Sequence, residues 1–115
     1  MTKPMLSFEN VSKNFGEISA LENINVSVEN GEFLALVGPS GCGKSTILRI
    51  ASGLDHPSSG TIDISTKKVG YVFQDSTLMP WRTVRKNVEF LAELENIDKE
   101  SIKKKSDDII ELVGL

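Results

Sequence analysis

The segment Gly38–Thr46, GPSGCGKST, lies between an apolar run, Phe33–Val37 (FLALV), and a stretch with apolar residues at helical spacing, Ile47–Leu54 (ILRIASGL). Gly38, Gly43, Lys44 and Ser45 fit the phosphate-loop pattern of glycine, four residues, glycine, lysine, then serine or threonine. That order demands a strand, a tight loop and a helix, and each residue type has a physical job. Glycines accept backbone angles that a Cβ resists, so the amides from Gly41 to Thr46 can turn toward an anion. The positive end of the following helix helps hold it. Lys44 adds a full charge, on the order of 4 kcal/mol at 4 Å and an effective dielectric near 20. The Ser45 hydroxyl suits Mg²⁺. Gly38, Pro39, Ser40, Gly41, Cys42, Gly43, Lys44, Ser45 and Thr46 are therefore the candidate phosphate-holding residues. Cys42 reads as a tolerated small residue rather than a redox group.

The flanking sequence fills in a strand–loop–helix unit. MLSFENVSKNF alternates only in part and reads as a strand running into a loop, whereas INVSV, Ile24–Val28, alternates strictly. Asn30-Gly31 is a hairpin-type turn signal. FLALV predicts a strand buried on both faces of a mainly parallel sheet. Past the loop, Ile47, Ile50, Ala51 and Leu54 predict a helix stopped by Gly53. TIDI and VGYVF read as two more strands. Val84, Val88, Leu91 and Leu94 predict a helix capped by Thr83; a last helix begins near Asp98, with Ile102, Ile109, Ile110 and Val113 on one side. His56, in DHPSSG, and Lys103–Lys105 read as solvated.

Composition excludes some functions. At 115 residues the chain is the size of one small domain, with 39% hydrophobic and 25% charged residues. A net charge of −3 gives no footing for sequence-independent nucleic-acid binding, so nucleic acid is not an expected partner. No apolar run approaches the roughly 20 residues of a membrane span, so no direct membrane insertion is expected. The single cysteine fits a reducing cytoplasm. No Asn-Lys-x-Asp guanine reader is present, and a long β-like stretch precedes the loop.

From LSFENVSKNFGEISALENINVSVENGEFLALVGPSGCGKSTILRIASGLDHPSSGTI through VGYVFQDSTLMPWRTVRKNVEF, the chain resembles the ATP-binding subunit of ABC transporters. The wording of the second stretch looks most like the nitrate, sulfonate and taurine importer group. The resemblance implies an α/β phosphate-loop NTPase (ABC ATPase) core with an N-terminal antiparallel β layer. Residues 1–37 would form the β layer and first core strand, 38–73 the phosphate loop, helix and strands, and 74–115 the glutamine loop and start of a helical subdomain. It implies ATP and Mg²⁺ as cofactors. Phe15 would stack on adenine, worth roughly 1–3 kcal/mol, and Gln74 would contact Mg²⁺ or its water and couple to the membrane subunit. Ser45 and Gln74 are thus the implied metal contacts. The implied partners are a second ATP-binding subunit and membrane-spanning permease subunits, with contact near Gln74 to Arg85. LMPW, Leu78–Trp81, either receives a short permease helix there or packs inside the subdomain. The implied location is cytoplasmic, peripheral on the inner face of the membrane through the permease.

The family's Leu-Ser-Gly-Gly-Gln signature, its strand ending Asp-Glu and its switch histidine are not in this sequence. The resemblance therefore predicts the N-terminal half of a domain about twice as long, truncated before the helical signature region. Such a chain would bind nucleotide weakly and, with no catalytic residue of its own, hydrolyse none. A non-catalytic ATP-binding remnant or regulator, another phosphate-loop kinase, and a soluble non-transport ABC protein are the alternatives.

Overall fold

The computed structural model describes residues 3–39, 41 and 43–115. Three strands and three helices are present among them: β1 (Leu6–Phe15), β2 (Ile18–Val28), α1 (Lys44–Ala51), β3 (Ser59–Ile64), α2 (Val84–Leu94) and α3 (Lys99–Leu112). The chain divides after Val72, and β1 to β3 with α1 fall in the first unit, α2 and α3 in the second.

In the first unit the strands form one antiparallel sheet in the order β2-β1-β3. Its core is Phe8, Val11, Leu21 and Ile50, with Leu6, Ile24, Val26, Ile47, Ala51 and Ile62 packed around them. Burying each such side chain contributes about 1.5–3 kcal/mol, which makes this the main stabilising cluster. Phe8 and Val11 are an odd number of residues apart, so a regular strand would point them to opposite faces. A bulge reconciles them. The register slips between Phe8 and Val11 against β2, and between Glu9 and Ser12 against β3. Asn10 supplies the extra residue at φ 51, its amide held by Asn25 Oδ1 at 3.0 Å. The partial alternation of MLSFENVSKNF is this bulge written in sequence. Gly60 makes room for it: a Cβ there would lie 2.3 Å from the Asn10 carbonyl oxygen.

α1 lays Ile47, Ile50 and Ala51 on the sheet and ends as expected around Gly53, at φ 83. The Gly53 amide donates to Ile50 O at 3.1 Å and the Leu54 amide to Arg49 O at 2.9 Å, a closed C-terminal turn. Two expected strands do not form. Phe33–Val37 pairs with no strand among the described residues, and Phe33 and Val37 are each 93% exposed. VGYVF is likewise outside any strand, with Val72 exposed. A strand apolar on both faces needs strands to pair with and layers to cover it, and among the described residues the only sheet is β2-β1-β3, which includes neither segment. The Asn30-Gly31 turn does form, with Gly31 at φ 78, but among the described residues no strand follows it to pair with β2 as a hairpin.

The second unit is an α2–α3 pair whose starts match the sequence reading. Thr83 Oγ1 accepts from the Lys86 amide at 3.1 Å, and Asp98 Oδ2 from the Ser101 amide at 3.1 Å. Only Ile102 and Ser106 are buried on these helices, and Val84, Val88, Leu91 and Leu94 stay exposed. Polar contacts do much of the tying: Arg85 reaches Asp107 at 2.6 Å and Ser106 Oγ at 3.0 Å, and Ser106 donates to Glu89 at 2.7 Å. Among the described residues no helix is long and apolar enough to cross a membrane.

Candidate functional site

α1 begins at an N-terminus that nothing caps. Gly43 holds the N-cap position at φ 94, with no side-chain hydrogen bond there and no acidic residue in the first turn. The first intrahelical bond runs from the Ile47 amide to Gly43 O at 3.0 Å. The amides of Lys44, Ser45 and Thr46 therefore precede any intrahelical acceptor and keep their donor capacity for an external anion.

Glycine is required at position 43 twice over. The positive φ strains any residue with a Cβ, and a Cβ there would lie 2.7 Å from Leu21 Cδ2 and 2.8 Å from Ala20 O. The loop is thus pressed against β2, which sets its shape from behind. Gly41, at φ 82, faces open space, with nothing within 4 Å of a Cβ at that position. Lys44 Nζ folds over the loop and donates to the carbonyl oxygens of Gly38 and, at 3.0 Å, Pro39. Ser45 is exposed beside it and Thr46 is half-buried. Ser40 and Cys42 lie outside the described residues.

Amides with no acceptor inside α1, one ammonium group and a first turn without an acidic residue suit a polyphosphate. For a metal, no group of three or more His, Cys, Asp or Glu is placed to hold one among the described residues. Mg²⁺ commonly takes most of its oxygens from phosphates and water, so a single hydroxyl such as Ser45 fits that habit.

Phe15 ends β1, opposite Ile18 of β2, and is 50% exposed. Two residues along β2 from Ile18, Ala20 and then Leu21 touch the Gly43 position. The aromatic ring and the phosphate loop thus share the same end of β2. The Lys13 ammonium lies over the Phe15 ring, 5.2 Å from its centroid. Its Nζ also donates to Asp55 Oδ1 at 3.0 Å and to the His56 carbonyl at 2.7 Å. These contacts hold the Asp55 carboxyl below its ordinary range, first through the Lys13 hydrogen bond and then through the His56 amide. Nothing in the sequence signals Lys13, Asp55 or Leu21, because each acts on a partner distant in the chain.

Gln74 is exposed in the second unit, near its start. Within that unit, Leu78 and Trp81 are exposed and Met79 is half-buried. Leu78, Met79, Pro80, Val84 and Val88 line an apolar groove of about 440 Å³. Asn87 organises the segment before α2: its Oδ1 accepts from the Met79 amide at 2.8 Å, and its Nδ2 donates to Met79 O, Arg82 O and Thr83 O. His56 and Lys103–Lys105 are exposed, as expected.

Comparison with known proteins bears on all of these elements together. The family model for the ABC transporter matches residues 21–115. An uncharacterized ABC transporter ATP-binding protein of Methanocaldococcus jannaschii is 46% identical over 98% of this chain and 46% of its own length. The aliphatic sulfonates import ATP-binding protein of Bacillus licheniformis is 43% identical over 84% of this chain and 40% of its own. Among solved structures, a dimeric ATP-binding cassette in a post-hydrolysis state with ADP and Pi matches with a TM-score of 0.83 and 32% identity, over 96% of this chain and 58% of that one. The chain spans about half the length of the curated relatives it matches. Its loop, the helix that loop opens and the β layer behind them are those of an α/β phosphate-loop fold, and the chain belongs to the ABC transporter family.

Proposed function

We propose that this chain is the nucleotide-holding part of an ATP-binding subunit that powers an ABC importer. The observation that carries the proposal is the uncapped start of α1, with Gly43 seated on β2 and Lys44 folded over the loop. Gly38, Pro39, Ser40, Gly41, Cys42, Gly43, Lys44, Ser45 and Thr46 hold the phosphates of ATP through amides and the lysine charge. Ser45 offers its hydroxyl to Mg²⁺, with Gln74 as the second contact to the metal or its water. Bound Mg²⁺ supplies neutralisation of charge on the phosphate oxygens. Phe15 stacks on the adenine.

The same reading assigns partners. A second ATP-binding subunit faces the phosphate loop across a dimer, and a permease contacts the stretch from Gln74 to Arg85. The subunit sits on the cytoplasmic side of the membrane through that permease, and Gln74 passes nucleotide-dependent closure to it. Residues 1–37, 38–73 and 74–115 serve as β layer, nucleotide core and start of the coupling subdomain. Likeness to a protein named for aliphatic sulfonate import supports a small oxyanion or sulfonate as the cargo. The 115 residues hold nucleotide weakly and do not hydrolyse it, since no apolar run in them ends in the Asp-Glu pair that the family uses to place and activate water.

The test is ATP affinity in the presence of Mg²⁺, measured by calorimetry on the chain and on Lys44→Ala. Loss of a charged hydrogen-bond donor predicts weakening of about 10- to 100-fold. Equal affinity in the two proteins would refute the phosphate-holding assignment. Phosphate release that disappears in Lys44→Ala would refute the absence of hydrolysis.

A further inference from the structure

We infer that Lys13, clamped by Asp55 and the His56 carbonyl, is a positioning residue for the base-stacking ring. Through it the segment after α1 sets where Phe15 stands relative to the phosphate loop. The inference rests on the reading of Phe15 as the adenine platform.

Phe15 ends its strand half-exposed, and one face of its ring is covered by the Lys13 ammonium at 5.2 Å. A base can then stack only on the opposite face. The lysine is itself fixed: its side chain is 15% exposed and held by a carboxylate and a carbonyl at 3.0 and 2.7 Å. A second strap joins the same two segments, since the Asn14 amide donates to Ser58 Oγ at 3.0 Å and the Ser58 amide to Ser12 O at 2.8 Å. α1 links the two ends of the site. Its N-terminus carries the phosphate loop, and about 12 Å along its axis the chain turns at Gly53 and delivers Asp55 to Lys13. Base platform and phosphate cradle are therefore indexed to one rigid helix. A cation above one ring face also fixes the ring by attraction to its π-electrons, so the platform is ordered before the base arrives.

The experiment compares ATP with inorganic tripolyphosphate, which has the phosphates and no base, on the full chain with Mg²⁺. Lys13→Met and Asp55→Asn are each expected to weaken ATP binding about 3- to 10-fold and to leave tripolyphosphate binding unchanged. Lys13→Arg, which keeps the cation, retains most of the ATP affinity. In a Phe15→Ala background, Lys13→Met has no further effect. The inference is overturned if Lys13→Met leaves ATP affinity intact, weakens both ligands alike, or weakens ATP equally with and without Phe15. Phe15→Ala alone that binds ATP normally would overturn the platform assignment instead, which separates the two failures.

Discussion

The two units of this chain reach order by different means. The first gathers Phe8, Val11 and Leu21 from two strands and Ile50 from a helix into one dry cluster, contacts far apart in sequence. The second buries only Ile102 and Ser106 on its helices and relies on polar contacts: local ones in the caps at Thr83 and Asp98 and the Asn87 fan of hydrogen bonds, and, between its two helices, Arg85 with Ser106 and Asp107 and Ser106 with Glu89. Apolar clusters stabilise through area removed from water, whereas exposed ion pairs contribute about 0–1 kcal/mol each. The difference teaches where each unit is vulnerable: the first to loss of volume, the second to loss of a single polar contact.

Phe8→Ala offers the strongest way to break this comparison. Removing that ring from the sheet core should destabilise by about 3–5 kcal/mol, read by amide hydrogen exchange in β1 and β2. If the amides of α2 and α3 lost as much protection, the two modes of ordering would not be separate. Asn87→Ala probes the other side, with an expected loss of about 1–3 kcal/mol confined to exchange of the Met79–Thr83 segment and the first turn of α2. A smaller effect, about 1 kcal/mol, is expected for Thr83→Ala in the thermal unfolding of the helices.

Acid gives the smallest and most symmetrical probe, since each unit has one carboxyl held below its ordinary range. Asp55 owes this first to Lys13, and Asp98 to hydrogen bonding by the Ser101 side chain and then its amide. A depressed folded value contributes stability that is present above the unfolded value, about 3.9, and is lost as pH falls through the folded one. Asp55→Asn and Asp98→Asn should each flatten the acid limb below about pH 4 in its own unit, followed residue by residue by NMR. A change in the neutral range would contradict the sign.

Legibility in the sequence followed the same divide. Thr83, Asp98 and Gly53 punctuate helices through contacts within a few residues, so the starts of α2 and α3 and the end of α1 could be read directly. The phosphate loop was equally plain, because glycine spacing, lysine and the following helix are all local. Phe33–Val37 and Val69–Phe73 read as strands from composition, yet a strand exists only with a partner, and partnership is not written in the strand. Phe15 entered through family resemblance alone. The Lys13–Asp55 contact, 42 residues apart, had no local trace.

The bulge at Asn10 has a consequence for the site itself. Side chains on a strand take alternate sides, so an extra residue acts as a parity digit for everything downstream. Deleting Asn10 would reverse that parity from Val11 to the strand's end, carrying Val11 out of the core and Lys13 away from Asp55. A length change of one residue, placed five positions before Phe15, would unmake the Lys13 clamp while leaving the Gly38–Thr46 sequence unaltered.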